Sequence, residues 1–399
     1  MTGQEDNARL GSFVCSMPTK VVFGFDKIDS VGDETKRLGS HALIVAAAKT
    51  MEKTGALART KDSLEKAGVA VTVFQEVESD PTVTAMDKVA ELCRGKGCNV
   101  VVGLGGGSAI DFAKGVAVGA AHTGSVLDYM TRVGHPSEPI TEKTLPIVAI
   151  PTTAGTGAEV TAVAVITIPA THEKHGIINP LVMPKVAIVD PGLMLSLPPR
   201  LTAGTGFDVF GHAFEAFVSR FTTPFADAVA LEALRLVGAY LVPAVREQRS
   251  LVARENMAWA ATLGGVAIAN AGMTVAHGIA QALGGRFHIA HGEAVAFCMP
   301  EVMQQMAAAR SDRFARVAQV MGMPTQGLTK QECAQACVAG ITQLREDVGL
   351  DIRYREFGIS ADDIDRLVED VFNTQHWSIE HHPCELPHSD VKRILASRL

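Results

Sequence analysis

No CxxC pair occurs anywhere in the 399-residue chain, and its seven cysteines are odd in number and scattered. That pattern suggests neither a zinc knuckle nor a disulfide framework. Cys333 and Cys337 lie four apart, as on one helix face, and Cys93 and Cys98 flank a Gly-rich turn; reduced thiols in a cytoplasmic enzyme are the plain reading. There is no long Lys/Arg run, and 36 basic against 43 acidic residues give a net charge of −7, so nucleic acid is not an expected partner. The apolar run VTAVAVITI (160–168) is far shorter than the roughly 20 residues a bilayer demands and reads as a buried strand. The opening MTGQEDNARLGSF has no basic stretch followed by an apolar one, so neither a signal peptide nor a membrane partner is expected. Internal repeats and low-complexity segments are missing as well.

What is present is an ordinary globular composition, 47% hydrophobic and 20% charged, with 37 glycines. The length points to two domains. Short apolar runs alternate with amphipathic stretches: TKVVFG (19–24), HALIVAA (41–47), VAVTVFQ (69–75), NVVVGL (99–104), PIVAIPTTAG (146–155) and KVAIVDPGLMLSLPP (185–199). Strands alternating with helices predict a parallel sheet covered on both faces. Past Pro199 strand-like runs vanish and Ala-rich helical periodicity takes over. The expected architecture is an α/β domain over 1–192 and an all-α domain over 193–399.

Three motifs carry chemistry. In GLGGGSAIDFAKG (103–115) an apolar strand empties into Gly105, Gly106, Gly107 and Ser108 and then a helix. Glycines let a phosphate approach the backbone, and the helix start offers N–H groups and a positive dipole end. It is not a GxGxxG fingerprint, and a Gly-rich turn without a ligand is the plainer alternative. PTTAGTGAEVT (151–161) offers the hydroxyls of Thr152, Thr153 and Thr156 with open backbone at Gly155 and Gly157, suited to ribose and phosphate oxygens or to satisfying its own loop. In LTAGTGFDVFGHAFEAFVS (201–219) Asp208 and His212 share a helix face one turn apart and can grip one metal ion. An isolated DxxxH is more often a surface pair, but a Phe-rich helix is not a solvated one.

The stretch NAGMTVAHGIAQALGGRFHIAHGEAVAF (270–297) reads as a helix, a Gly284-Gly285 stop and a second helix, and it holds His277, His288 and His291. A lone helical histidine is usually a satisfied core residue. With Asp208 and His212, however, His277 and His291 complete one carboxylate and three imidazoles, a set suited to Fe²⁺, Zn²⁺ or Ni²⁺.

Taken together, in order and over nearly the whole chain, these segments resemble the iron-dependent (group III) alcohol dehydrogenases of the dehydroquinate synthase-like superfamily. The resemblance implies NAD or NADP in a cleft between an α/β and an all-helical domain. It also implies one divalent metal, iron first and zinc as the alternative, on Asp208, His212, His277 and His291. The cofactor pyrophosphate is expected on Gly105, Gly106, Gly107 and Ser108, with Thr152, Thr153 and Thr156 beside it and Asp111 and Lys114 in the same motif. The expected reaction is hydride transfer between a small alcohol or hydroxy acid and its aldehyde or ketone. Dimers are common in the family, so a homodimer or higher homo-oligomer is expected. A maleylacetate-reductase-like enzyme is the rival within the class, with Arg286 as a cation for a dicarboxylate or simply a solvated charge. A dehydroquinate-synthase-like lyase and a catalytically dead binding protein are more distant.

Three departures matter. Where many alcohol-oxidising members place a second histidine, one turn after the first helical ligand, this chain has Gln281, which orients water but cannot titrate. Proton transfer then falls to ribose hydroxyls and water, or to His288, which otherwise reads as a rim residue. Where NAD-preferring members keep an acid after HALIV, this chain runs Ala46, Ala47, Ala48, Lys49, so NADP is open and Lys49 is a candidate for its 2′-phosphate or a mere helix-start charge. Finally, Gly211 precedes His212 and either leaves space above the metal or relieves helix packing.

Overall fold

The computed structural model describes residues 12–47, 50–132, 134–171 and 173–399. Among these residues, eight strands form: β1 (Lys20–Phe23), β2 (His41–Ala47), β3 (Ala70–Val77), β4 (Val100–Gly105), β5 (Ile147–Pro151), β6 (Val163–Ile168), β7 (Glu173–Ile178) and β8 (Val186–Val189). Six make one parallel sheet in the order β1-β8-β5-β4-β2-β3. Strands β4, β5 and β8 are buried throughout, as their unbroken apolar sequences require of a sheet covered on both faces. The period of two is visible within β2, where Leu43 and Val45 enter one core layer and Ala42, Ile44 and Ala46 the other.

The sheet-side helices are α1 (Val31–Lys36), α2 (Thr50–Lys53), α3 (Ala56–Lys66), α4 (Val83–Lys96) and α5 (Gly107–Ala121). Helix α3 starts directly after Gly55, whose φ of 75° is left-handed. Helix α4 has both end signals: Thr82 accepts from the Ala85 N–H at 3.3 Å, and Gly97 closes it in the left-handed region with φ 70°.

One expectation needs correcting. VTAVAVITI becomes a strand only from Val163, and it pairs antiparallel with β7 outside the main sheet. Ala164 and Ile166 are its only fully buried residues. One face of β6 packs on α5, so it alternates rather than being buried all round. Its partner β7, EKHGII, carries too many polar residues to read as a strand.

Beyond β8 every strand ends and the chain is helical: α6 (Pro199–Val218), α7 (Pro224–Arg246), α8 (Leu251–Ala271), α9 (Val275–Phe287), α10 (His291–Met306), α11 (Ser311–Val320), α12 (Lys330–Asp347), α13 (Ile364–Thr374), α14 (His376–His381) and α15 (His388–Ala396). One continuous apolar cluster runs through them. Among the described residues, α7 is the one single helix long and apolar enough to cross a bilayer, and it packs between α6 and α8.

The sheet order reverses between β2 and β4, which opens a crevice beyond their carboxyl ends. A Cβ added to Gly105, at the end of β4, would lie 3.3 Å from the Ala47 side chain at the end of β2. The glycine loop therefore sits at that switch point.

Candidate metal centre

Helix α6 buries sixteen of its twenty residues, and Asp208, His212 and Glu215 are among those held inside the protein. Asp208, His212 and Glu215 recur at intervals of four and three and share one face. Helix α8 ends at Gly272, φ 71°, and the chain bends by 107° into α9, bringing His277 back toward α6. The first residue of α10 is His291. Its approach is set by two glycines: a Cβ on Gly292 would lie 2.1 Å from the Gly204 carbonyl oxygen of α6. Next to this contact, Arg200 grips Glu293 with two hydrogen bonds of 2.6 and 2.8 Å.

Three elements thus converge. Asp208 Oδ1 lies 3.6 Å from His212 Nε2, 3.4 Å from His277 Nε2 and 3.6 Å from His291 Nε2. The four donor atoms all fall within 4.8 Å of one another. Asp208 Oδ1 and His277 Nε2 are buried with no hydrogen-bond partner. Buried polar atoms almost always have one, and a cation among these donors would supply it. The donor set fits a borderline divalent ion. Three of the four side chains are closed off, whereas His291 is 34% exposed and marks the open side.

Charge in the cluster is divided unevenly. Burial alone would raise the Asp208 carboxyl, but His212, His291 and His277 outweigh it and hold the group well below the usual carboxylate range. Burial pushes His212 and His291 down to about 4, against the pull of Asp208. Burial also opposes charge on His277, but Glu215 and Asp208 prevail and raise it to about 9. The Glu215 carboxyl is lowered despite its burial, chiefly by His277. Its two oxygens accept from His277 Nδ1, the Thr274 hydroxyl and the Ala276 N–H, the last at 2.9 Å.

The glycine loop faces the threonine loop. A Cβ on Gly107 would meet Thr156 Cγ2 at 2.6 Å, and one on Gly106 would meet Thr153 Oγ1 at 3.3 Å. Thr152 is buried, its N–H donating to the Gly105 carbonyl at 2.9 Å. The threonine loop is in turn pressed on the helical half: a Cβ on Gly155 would be 2.8 Å from Thr205 of α6, and one on Gly157 would be 2.4 Å from Gly265 of α8. The glycine loop and the Asp/His cluster are therefore linked through a single loop.

Known proteins resemble this chain in sequence and fold. The family description "iron-containing alcohol dehydrogenase" matches residues 18–191, and that family's C-terminal region matches residues 202–399. The NAD-dependent methanol dehydrogenase of Bacillus methanolicus is 33% identical over 89% of this chain and 92% of its own. The 1,3-propanediol dehydrogenase of Citrobacter freundii is 37% identical over 88% and 90%. The crystal structure of an archaeal halo-thermophilic alcohol dehydrogenase from a Red Sea brine pool superposes with a TM-score of 0.93 at 36% identity, covering 97% of this chain and 99% of that one. The chain belongs to the iron-containing alcohol dehydrogenase family. It is a metal-dependent NAD(P) oxidoreductase that interconverts alcohols with aldehydes or ketones by hydride transfer.

Within this alcohol dehydrogenase the structure redistributes several expected roles. Helix α9 runs through Gly284-Gly285 and ends instead at His288, a left-handed residue with φ 54°. His288 is exposed, and Gln281 is half-buried one turn after His277. Ser108 donates its hydroxyl to the Ser79 carbonyl, so a ligand would meet the backbone there. Asp111, expected at the cofactor, is engaged by the protein: it accepts from the Val165 N–H at 3.0 Å and pairs with buried Lys114. Together they tie α5 to β6, and Lys114 also donates to the Val163 carbonyl at 2.6 Å. Arg286 is neither free nor a loop residue, since it pairs with Asp370 from the last turn of α9. Gly211 leaves no open space, because a Cβ there would lie 2.8 Å from Val295 and 3.1 Å from His277 Cε1. Lys49 lies outside the described residues.

Two residues escaped sequence reasoning. Glu215 follows His212 by three in DVFGHAFEAF, and that spacing alone was a usable signal. Lys174 of β7 pairs with Asp80 at 2.6 Å and its positive charge acts on His291. Nothing in the linear sequence links those three.

Proposed function

We propose that Asp208, His212, His277 and His291 are the metal ligands and that the substrate enters on the His291 side. What supports this most is the pair of buried, unpartnered donor atoms, Asp208 Oδ1 and His277 Nε2, 3.4 Å apart. A metal held there, iron first and zinc as the alternative, would supply Lewis acidity to the alcohol or carbonyl oxygen, and a bound nicotinamide cofactor would supply the hydride chemistry. Gly105, Gly106, Gly107 and the Ser108 backbone bind the cofactor pyrophosphate at the start of α5. Thr152, Thr153 and Thr156 line its nicotinamide side. The threonine loop, seated against α6 and α8, fixes the distance between cofactor and metal.

Gln281 shares the His277 face of α9 and holds water without titrating. Protons therefore leave through water and hydroxyls toward the rim, where exposed His288 exchanges them with solvent. The division of labour follows the chain: residues 1–192 form the cofactor domain and 193–399 the metal domain. A small alcohol, diol or hydroxy acid is the substrate, in keeping with relatives named for methanol and 1,3-propanediol. The enzyme works in the cytoplasm as a homodimer or larger homo-oligomer, without nucleic-acid or membrane partners.

The test is a metal-replete screen of alcohols and aldehydes with NAD(H) and NADP(H) in parallel, read at the nicotinamide absorbance band. Net redox change on small hydroxy compounds is the expected result. Turnover without redox change points to a lyase, and cofactor binding without turnover to a dead site. Either outcome overturns the reading.

A further inference from the structure

Helix α9 begins without a cap of its own. Its N-cap residue, Thr274, makes no side-chain hydrogen bond to the first turn. The missing acceptor comes from another helix. Glu215 of α6, fully buried, takes the Thr274 hydroxyl and the Ala276 N–H on Oε1, and His277 Nδ1 on Oε2. Thr274, Ala276 and His277 are all in or beside the first turn of α9, where a negative charge also complements the helix dipole. An ionised carboxylate only accepts, so the hydrogen on His277 must sit on Nδ1. In the neutral imidazole that would bind a metal, Nε2 is then the nitrogen with the lone pair, and Nε2 is the atom 3.4 Å from Asp208 Oδ1.

We propose that Glu215 is a positioning residue that caps α9 in trans and, with the same carboxylate, locks His277 in the tautomer and ring orientation that present Nε2 to the metal. The inference rests on His277 being a ligand. It adds that α9 and the metal share one anchor: whatever shifts the start of α9 shifts a metal ligand with it. A partner of this kind steers a ligating imidazole and raises its basicity, and its loss typically weakens metal binding 10–100-fold.

Two measurements test it. In zinc-loaded protein with ¹⁵N-labelled histidine, His277 is expected to carry a proton on Nδ1 hydrogen-bonded to a carboxylate, with Nε2 on the metal. Ligation through Nδ1, or an Nδ1 without a proton, overturns the proposal, and this readout needs no variant. The second compares zinc affinity by chelator competition in Glu215→Gln and in wild type. A glutamine has one acceptor oxygen for three donors and no charge, so the Kd is expected to rise about 10–100-fold. Thr274→Val, which removes one donor but leaves the His277 contact, is expected to lower thermal stability while changing the Kd less than about threefold. A wild-type Kd in folded Glu215→Gln overturns the proposal, as does an equal loss of affinity in Thr274→Val. If His277→Ala keeps its metal, the ligand assignment itself falls. If His277→Ala loses its metal while Glu215→Gln binds normally, only the positioning role falls.

Discussion

On the sheet side the loops proposed to hold the cofactor are made of backbone and small residues, Gly105 to Gly107 against Thr153 and Thr156. On the helical side the cluster is made of charged and titratable side chains locked inside an apolar helix. A phosphate cradle draws on N–H groups that any residue possesses, so its requirement is space, and glycine supplies it. A metal cluster draws on particular atoms, so its requirement is identity and orientation. The first kind of site is broken by adding atoms, the second by exchanging them.

Exchanging one atom on the helical side is expected to give the largest effect. Asp208 is the sole anion among the four donors, and Asp208→Asn keeps its shape while removing the charge. Since losing an outer partner of a ligand already costs about 10–100-fold, metal affinity should fall by more than about a hundredfold. Metal analysis after dialysis checks this, and cofactor binding measured by nucleotide fluorescence should stay near wild type. Metal content that survives would break the contrast.

Adding one carbon on the sheet side should do the reverse. In Gly107→Ala the new Cβ meets Thr156 at 2.6 Å, so one loop must shift. Cofactor Kd is expected to rise about tenfold or more, a change of about 1.4 kcal/mol, by titration with NADH. Metal content should be unchanged. Loss of metal in this variant would mean that the loop joining the two sites transmits strain to α6.

How much of this was legible follows the same division. The strands and the glycine loop could be read because unbroken apolar runs and a glycine triplet are local signals. Asp208 and His212 were legible as a pair because one helix turn joins them, and His277 and His291 could be added by residue type before the family resemblance singled out the same four. The course of α9 was misread at Gly284-Gly285 because packing on its neighbours outweighs the modest cost of glycine in a helix. The protein partner of Asp111, the Val165 N–H, could not be foreseen because it is 54 residues away. Lys174 and β7 stayed hidden for the same reason: their meaning comes from contacts with Asp80 and α9 that no local pattern records.

A smaller effect concerns stability against pH. His382 is fully buried, its Nε2–H donating to Gln305 Oε1 at 2.9 Å, and Nδ1 has no partner. Protonation would place an N–H there with nothing to accept it, and burial lowers this group to about 4. The folded value lies below the unfolded one of about 6.5, so the unfolded chain binds the extra proton between them. Stability from this residue is full above about pH 6.5 and drains as pH falls toward 4, by at most about 3 kcal/mol. In the metal-loaded enzyme, His382→Gln keeps a donor for Gln305 and cannot titrate. Thermal melts between about pH 4.5 and 7 should therefore slope less steeply in the variant, and equal slopes would refute the assignment.

The subtlest change is Gln281→His, which adds a titrating group to the side-chain half of the cleft without touching a ligand. An imidazole one turn after His277 on the same face has an ordinary pKa near 6.5. Should protons now leave through water and hydroxyls, the variant gains an inflection in the pH profile of kcat near that value, with metal content and cofactor Kd unchanged. A profile identical to wild type would place position 281 outside the proton path. A loss of metal would instead show that Gln281 supports the packing of α9 behind His277, making it part of the orientation-dependent side of the comparison.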